Sequence, residues 1–224
     1  MSTTAATTPS PGRVQSGGEE IANAATHGIG ALASLVALPF LVAAAHRGGH
    51  ATWPYLVFGL SLVVLFGSSA IYHAAADPTV KRRLRMLDHS SIYVLIAGTY
   101  TAYAIGVIGG PEGWILFAVE WAIAAGGIVL SVVRIDRFKA AGALVYLAMG
   151  WAIAPVLGDA RAAMPSGAFA LLAAGGLAYT VGIVFYAIKK APYFHAVWHL
   201  FVLAGAACHV ASILMAAGYK GLRM

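Results

Sequence analysis

Long runs of apolar residues without acidic or basic side chains alternate with short polar segments along the chain. A helix needs about 20 predominantly apolar residues to cross the hydrocarbon core of a bilayer. This pattern predicts seven spans, at approximately 21–45, 52–76, 88–108, 113–133, 140–158, 166–188 and 192–217. The sequence therefore predicts an all-α membrane protein, a bundle of seven transmembrane helices in which Pro155 kinks the fifth.

The composition supports the same fold class. Hydrophobic residues make up 60% of the 224 residues, charged residues only 10%, and the mean hydropathy is +0.81, which lies outside the usage of soluble globular domains. No charge-rich block is large enough for a separate soluble domain, so we predict one transmembrane domain over 19–219. Residues 1–18, rich in Ser, Thr, Pro, Ala and Gly, are predicted to be a disordered tail, and 220–224 a short C-terminal tail.

The distribution of basic residues predicts the orientation. With the N-terminus inside, the inner loops hold nine Lys and Arg residues and the outer segments four, which favours a cytoplasmic N-terminus for a multi-pass membrane protein. The net charge of +6 comes from short clusters between apolar runs. This placement indicates contact with anionic lipid headgroups and predicts no nucleic-acid partner.

Two helix starts can be located from local signals. Ser16 and Glu19 have the spacing of a capping box, which predicts that the first helix begins there. Asp77 followed by Pro78 is typical of an N-cap with proline in the first turn. The third helix is therefore expected to begin in the basic patch that follows Pro78 and to enter the bilayer near Asp88.

Chemistry-bearing residues are concentrated at one end of the predicted bundle. The second span ends at the same membrane face at which the third and seventh begin, which brings Ser69, His73, Asp88, His195 and His199 to similar depth. Ser69 and His73 are one helical turn apart, as are His195 and His199, so each pair shares a helix face. We therefore expect these five side chains to converge.

Three neutral imidazoles with one open position are typical of a catalytic zinc site, and ionisable groups inside a membrane are a functional signal. We predict His73, His195 and His199 as zinc ligands. Asp88 would orient or deprotonate a zinc-held water, and Ser69 would support a ligand or a developing oxyanion. The alternative is that the histidines only form hydrogen bonds between spans and that Ser69 is a packing residue.

The other polar residues within spans are open to several interpretations. His27 is either an outer group of the site or a hydrogen-bonded structural residue. His89 is expected to point away from the site, because neighbouring helix positions differ by about 100°, and His209 lies too far along the last span to share the ion. Glu120 either lines a water-filled cavity, is protonated, or extends towards the outer face.

Three sequence motifs accompany the five predicted site residues. They are Thr26-His-Gly-Ile-Gly30, Asp88-His-Ser-Ser-Ile-Tyr-Val-Leu-Ile-Ala-Gly-Thr-Tyr-Thr101 and Lys189-Lys-Ala-Pro-Tyr-Phe-His-Ala-Val-Trp-His-Leu-Phe-Val-Leu-Ala-Gly205. Together they resemble the hemolysin III family, the bacterial branch of the progestin and adipoQ receptor (PAQR) superfamily, over about 19–217. The resemblance implies seven helices, a location in the bacterial plasma membrane, a cytoplasmic N-terminus and zinc held by the three histidines, with Asp88 acting through water. Related alkaline ceramidases hydrolyse lipid amides at a similar site.

The leading functional hypothesis is a zinc-dependent hydrolase of membrane lipid amides or esters that acts in membrane homeostasis. Its partners would be membrane lipids, one of them the substrate or ligand. Two alternatives remain open at this stage. One is a pore-forming cytolysin, as the hemolysin name suggests, although Glu120 is almost the only polar group available to line a pore outside the predicted cluster. The other is a lipid sensor without turnover, which needs the same pocket.

Overall fold

A computed structural model of the chain describes residues 13–134, 139–188 and 190–219. Within these ranges the secondary structure is entirely helical, and no β-strand occurs. Eight α-helices follow one another along the chain: α1 (Gly17–Arg47), α2 (Trp53–Ala74), α3 (Pro78–Thr101), α4 (Gly110–Arg134), α5 (Lys139–Gly150), α6 (Leu157–Ala163), α7 (Ser166–Ala187) and α8 (Phe194–Ala217).

Seven segments of the described residues are helical, long and apolar enough to cross a membrane, which confirms the predicted number. Two of the eight helices, α5 and α6, share the fifth segment. The predicted N-terminal tail falls largely on residues 1–12, outside the described part, but α1 already begins at Gly17. The C-terminal tail 220–224 also lies outside the described residues, and the cytoplasmic orientation stays a prediction.

The capping signals in the sequence are confirmed. At the start of α1, the Ser16 hydroxyl accepts a hydrogen bond from the Glu19 backbone at 3.3 Å, and the Ser16 backbone donates to the Glu19 carboxylate at 2.9 Å. At the start of α3, the Asp77 carboxylate accepts from the backbone of Thr79 and Val80 at 2.9 and 2.8 Å. Both caps satisfy backbone donors that would otherwise lack partners. They fix the residues at which α1 and α3 begin.

The helices pack mainly against their neighbours in sequence, and α1 also packs against α8. The span that begins with α3 is the most enclosed, with 67% of its most apolar window buried, whereas the fifth span has only 11% buried. The central position therefore belongs to α3, and the fifth span lies at the periphery. The long apolar side chains that remain exposed, such as Leu32, Val36 and Phe40 of α1, form the surface expected to face lipid.

The end of the third span is irregular in a way the sequence analysis did not predict. After Thr101 the chain continues as a π-helix, Ala102–Ile108. Gly109 and Gly110, which follow, have φ values of 69° and 64°. This left-handed region carries a steric penalty for residues with a Cβ but not for glycine, so the glycine pair permits the sharp change of direction into α4.

The fifth span is broken rather than merely kinked. α5 ends at Gly150, a short 3₁₀ turn, Ala154–Val156, contains Pro155, and α6 then continues to Ala163, beyond the predicted end at 158. Proline lacks a backbone N–H and its ring clashes with the preceding helical turn. The effect of Pro155 is therefore larger than the predicted kink.

A close approach between α2 and α3 predicts a stability effect. A Cβ added at Gly98 would lie 2.3 Å from the Ser61 hydroxyl oxygen and 2.7 Å from the Ser61 Cβ, and Ser61 is itself buried. We expect Gly98→Ala to destabilise the fold by about 1–3 kcal/mol through overpacking, measured as a lower midpoint of thermal unfolding in detergent. The matched control is Gly67→Ala in α2, where the added carbon meets nothing within 4 Å. Equal midpoints for the two variants would contradict the prediction.

Candidate metal centre

Three histidines from the ends of two helices meet at one place. His73 lies in the last turn of α2, and His195 and His199 lie in the first two turns of α8. Each offers one ring nitrogen, and these three atoms lie within 4.8 Å of one another. A tetrahedral zinc ion with Zn–N distances near 2.0–2.1 Å would hold its nitrogens about 3.3 Å apart. Small side-chain movements bridge this difference, so the three histidines can hold a metal ion.

The hydrogen bonding of the buried histidines fits this interpretation. Nε2 of His73 and Nε2 of His199 are buried and have no hydrogen-bond partner among the described residues, whereas Nδ1 of each ring has partners. A buried polar atom without a partner is costly and needs an explanation. A divalent cation would supply the missing partner for both nitrogens.

The start of α8 is held against the start of α1. The Glu19 carboxylate accepts a hydrogen bond at 2.8 Å from the backbone of Tyr193, the residue immediately before α8. Tyr193 has a φ of 61°, the only positive value for a non-glycine residue in the described part of the chain, and such strain persists only where the surroundings impose it. Glu19 therefore caps α1 and also positions the turn that presents His195, a role the sequence analysis missed.

Asp88 and Ser69 lie together next to the histidine cluster. Both side chains are buried, and the Ser69 side chain is near enough to the Asp88 carboxylate to interact with it. Asp88 is also close enough to His73 to interact with it electrostatically. The structure thus brings these two predicted residues together.

His89 was predicted to point away from the site that Asp88 faces, and it lines neither the histidine cluster nor the cavity beside it. Nδ1 of His89 lies 3.3 Å from the nearer carboxylate oxygen of Asp88. His209, as predicted, lies apart from the three-histidine group: its Nε2 is 3.3 Å from the Leu172 carbonyl oxygen, and its ring packs edge-on against Tyr179.

His27 lies directly against the cluster. Its ring is stacked on that of His199, with the centroids 3.5 Å apart and the planes 11° from parallel. The residue is buried, and neither ring nitrogen has a hydrogen-bond partner within the described ranges. The hydrogen-bonded structural interpretation of His27 is therefore not observed, and the structure favours the alternative of an outer group of the site.

Glu120 lies elsewhere, in α4. It is fully buried, and neither carboxylate oxygen has a hydrogen-bond partner among the residues that the structure describes. Tyr100 of α3 is near enough to interact electrostatically with it. An extension of Glu120 towards the outer face is excluded by this burial.

A cavity of about 340 Å³ opens beside the cluster. His27 and Asp88 line it at the end near the histidines, apolar side chains such as Leu95 and Trp198 line its walls, and it reaches His209. His209 is ten residues beyond His199 in α8, which corresponds to about 15 Å along the helix. The volume lies within the range of small-molecule sites in proteins, so the cavity can accommodate an elongated apolar ligand with its polar end near Asp88.

Comparison with known proteins identifies the family. Residues 16–210 match the sequence model of a family described as Haemolysin-III related. The chain belongs to this family. It is 43% identical over 191 residues to Hemolysin-3 of Bacillus cereus, an alignment that covers 84% of this chain and 87% of that relative. It is 44% identical over 192 residues to the Hemolysin-3 homolog of Bacillus subtilis, covering 84% and 90%.

A more distant relative is the human monocyte to macrophage differentiation factor, 29% identical over 210 residues, which cover 87% of this chain and 83% of the human protein. This likeness fits the PAQR superfamily. The hemolysin III resemblance in the sequence is therefore confirmed. Family membership and seven membrane-spanning helices together identify this haemolysin-III-related chain as a multi-pass membrane protein.

Proposed function

We propose that this haemolysin-III-related protein is a zinc-dependent hydrolase that cleaves amide or ester bonds of membrane lipids. The proposal depends chiefly on one observation: the three-histidine cluster lies next to Asp88 and beside a largely apolar cavity. Three imidazoles with an open fourth position suit zinc better than magnesium or calcium, which prefer oxygen ligands.

A zinc ion held by His73, His195 and His199 would polarise a lipid carbonyl group and activate water for attack. Asp88 would accept a proton from the attacking water at its carboxylate and deliver it to the leaving nitrogen or oxygen. An amide would give a fatty acid and an amine, and an ester a fatty acid and an alcohol. Ser69, which lies near Asp88, would donate a hydrogen bond to the carboxylate and hold it in the orientation that these transfers require.

The cavity would bind the acyl chain and exclude water. An extended chain advances about 1.2 Å per bond, since a residue of three backbone bonds spans at most about 3.6 Å. The distance of about 15 Å from His199 to His209 therefore corresponds to roughly a dozen carbon–carbon bonds. Apolar walls bind such a chain through the hydrophobic effect, which leaves the scissile group near Asp88 and the histidines.

The distribution of basic residues supports a location of this centre at the cytoplasmic face. The nine Lys and Arg residues assigned to inner loops include Lys81, which lies in the first turn of α3 close to the cluster. Basic residues at this level would attract anionic lipid headgroups. The substrate would then enter from the inner leaflet.

The direct test is turnover by the purified full chain in lipid nanodiscs. We expect the zinc-loaded protein to release fatty acid from at least one member of a panel of lipid amides and esters. Chelation should stop the release and added zinc should restore it. Inertness of the zinc-loaded protein towards the whole panel would contradict the proposal. A co-purifying lipid recovered intact would then favour a sensor, and zinc-independent dye release from liposomes would favour a pore.

A further inference from the structure

Helix α1 contributes none of the three clustered histidines, yet its polar residues contact two of them. Glu20, Asn23 and His27 follow one another at spacings of three and four, so they share one face of the helix, and Thr26 lies beside them. Asn23 and His27 are buried. We call these four residues the polar face of α1, and its contacts determine how the histidine rings are oriented.

The contact between Glu20 and His73 fixes the tautomer of the histidine. Nδ1 of His73 lies 2.7 Å from a carboxylate oxygen of Glu20. A carboxylate only accepts hydrogen bonds, so Nδ1 carries the hydrogen and the lone pair of the neutral ring is on Nε2. The side-chain nitrogen of Asn23 is also near, at 3.5 Å from the same atom, but the much shorter contact with Glu20 decides the tautomer.

The tautomer of His199 is fixed in the same way. Nδ1 of His199 lies 3.3 Å from the carbonyl oxygen of Asn23 and 3.2 Å from the hydroxyl oxygen of Thr26. The carbonyl can only accept, and the Thr26 hydroxyl uses its single hydrogen within α1, where the Ala22 carbonyl oxygen is 2.9 Å away. His199 is therefore the donor at Nδ1, and its lone pair is on Nε2 as well.

Glu20 is itself held in place. One of its carboxylate oxygens contacts His73, and the other lies 3.0 Å from the ammonium group of Lys81 in α3. Lys81 also donates to the Ala75 carbonyl oxygen at 3.3 Å, just beyond the end of α2. With both oxygens engaged, the Glu20 carboxylate is fixed in orientation and links the first three helices at the cluster.

We propose that the polar face of α1 is the positioning element of the metal centre, with Glu20 as its main residue. By holding Nδ1 of His73 as a donor, Glu20 keeps Nε2 available to a metal ion, and Asn23 and Thr26 do the same for His199. Partners of this kind, behind the ligands themselves, typically change metal affinity 10–100-fold when they are removed. The proposal depends on the proposed metal site but not on lipid hydrolysis.

The main test is the zinc affinity of Glu20→Gln, measured by competition with a chelator of known affinity on the purified full chain. We expect zinc binding about 10–100-fold weaker than in the wild type. The matched control is Glu112→Gln, the same substitution at an exposed position in the first turn of α4, which should leave the affinity unchanged. Thr26→Val, which removes one acceptor for His199, should weaken binding less than Glu20→Gln.

A second measurement separates positioning from a loss of folding. Imidazole ¹⁵N NMR of the metal-free protein should assign His73 to the Nδ1–H tautomer in the wild type, and Glu20→Gln should increase the Nε2–H form. Unchanged affinity and tautomer in Glu20→Gln would overturn this proposal and leave the metal site intact. A wild-type protein that binds no zinc would overturn both. Failure of lipid hydrolysis alone, with the expected affinities and tautomers, would support the positioning role and reject only the proposed reaction.

Discussion

His195→Ala is expected to reduce bound zinc from about one ion per chain to near zero and to abolish lipid hydrolysis. A catalytic zinc site has three protein ligands and no spare one, so the loss of His195 leaves only two imidazoles. The Nε2 atoms of the remaining pair, His73 and His199, cannot complete a site on their own. Metal analysis of the purified variant, together with fatty-acid release from nanodiscs, measures both effects, and His73→Ala and His199→Ala should behave in the same way.

The control for this prediction is His46→Ala. His46 is exposed in the last turn of α1, at the opposite end of the helix from the polar face, so the same substitution there should change neither zinc content nor turnover. Stoichiometric zinc in His195→Ala would reject His195 as a ligand. Zinc lost equally from His46→Ala would indicate that the metal is bound nonspecifically.

The seven spans were predictable because a bilayer imposes a minimum length on an apolar helix, and that length can be counted in a sequence. The helix starts at Ser16 and Asp77 were predictable because capping depends on residues within one turn. The π-helix Ala102–Ile108 could not be predicted, because its apolar residues are equally compatible with a regular α-helix. The break around Pro155 exceeded the predicted kink because its extent depends on the packing of neighbouring helices.

The candidate site was predictable to the extent that helix periodicity and a common membrane face bring residues together. His73, Asp88 and the pair His195 and His199 were singled out by these rules, and the structure brings them to one end of the bundle. The role of α1 was missed. Of the acidic residues at its start only Glu19 was interpreted, as part of a capping signal, although the spacing of Glu20, Asn23 and His27 already marks one polar face.

The polar spacing in α1 was not sufficient to predict its contacts with the histidines, because these contacts depend on how the helices pack. Periodicity identifies a polar face but does not identify its partner, since the rotation and depth of each helix depend on packing at many positions. The stacking of His27 on His199 and the hydrogen bond of Glu19 to Tyr193 join α1 to α8, the two ends of the chain. Their proximity follows from closure of the bundle, which no local sequence pattern specifies.

Asp88→Asn is expected to lower kcat for lipid hydrolysis by about 10²–10⁴-fold, the range that one general acid–base group contributes, while zinc content stays at the wild-type value. Asparagine has nearly the same shape as aspartate, so the local packing should persist. Its amide cannot take up a proton from water, and the transfer assigned to the carboxylate is lost. Steady-state kinetics combined with metal analysis of the same preparation tests both parts.

Asp88→Asn distinguishes a role of Asp88 in proton transfer from a role as a metal ligand, because turnover and zinc content are measured separately. If Asp88 were instead a metal ligand, zinc and activity would fall together, as expected for His195→Ala. Ser69→Ala should reduce kcat less than Asp88→Asn, because it removes only the group that orients the carboxylate. Asp159→Asn, the same substitution at an exposed position in α6, should have no effect. Full activity in Asp88→Asn would assign the proton transfer to another group, and the buried, cavity-lining His27 would then be the first residue to replace.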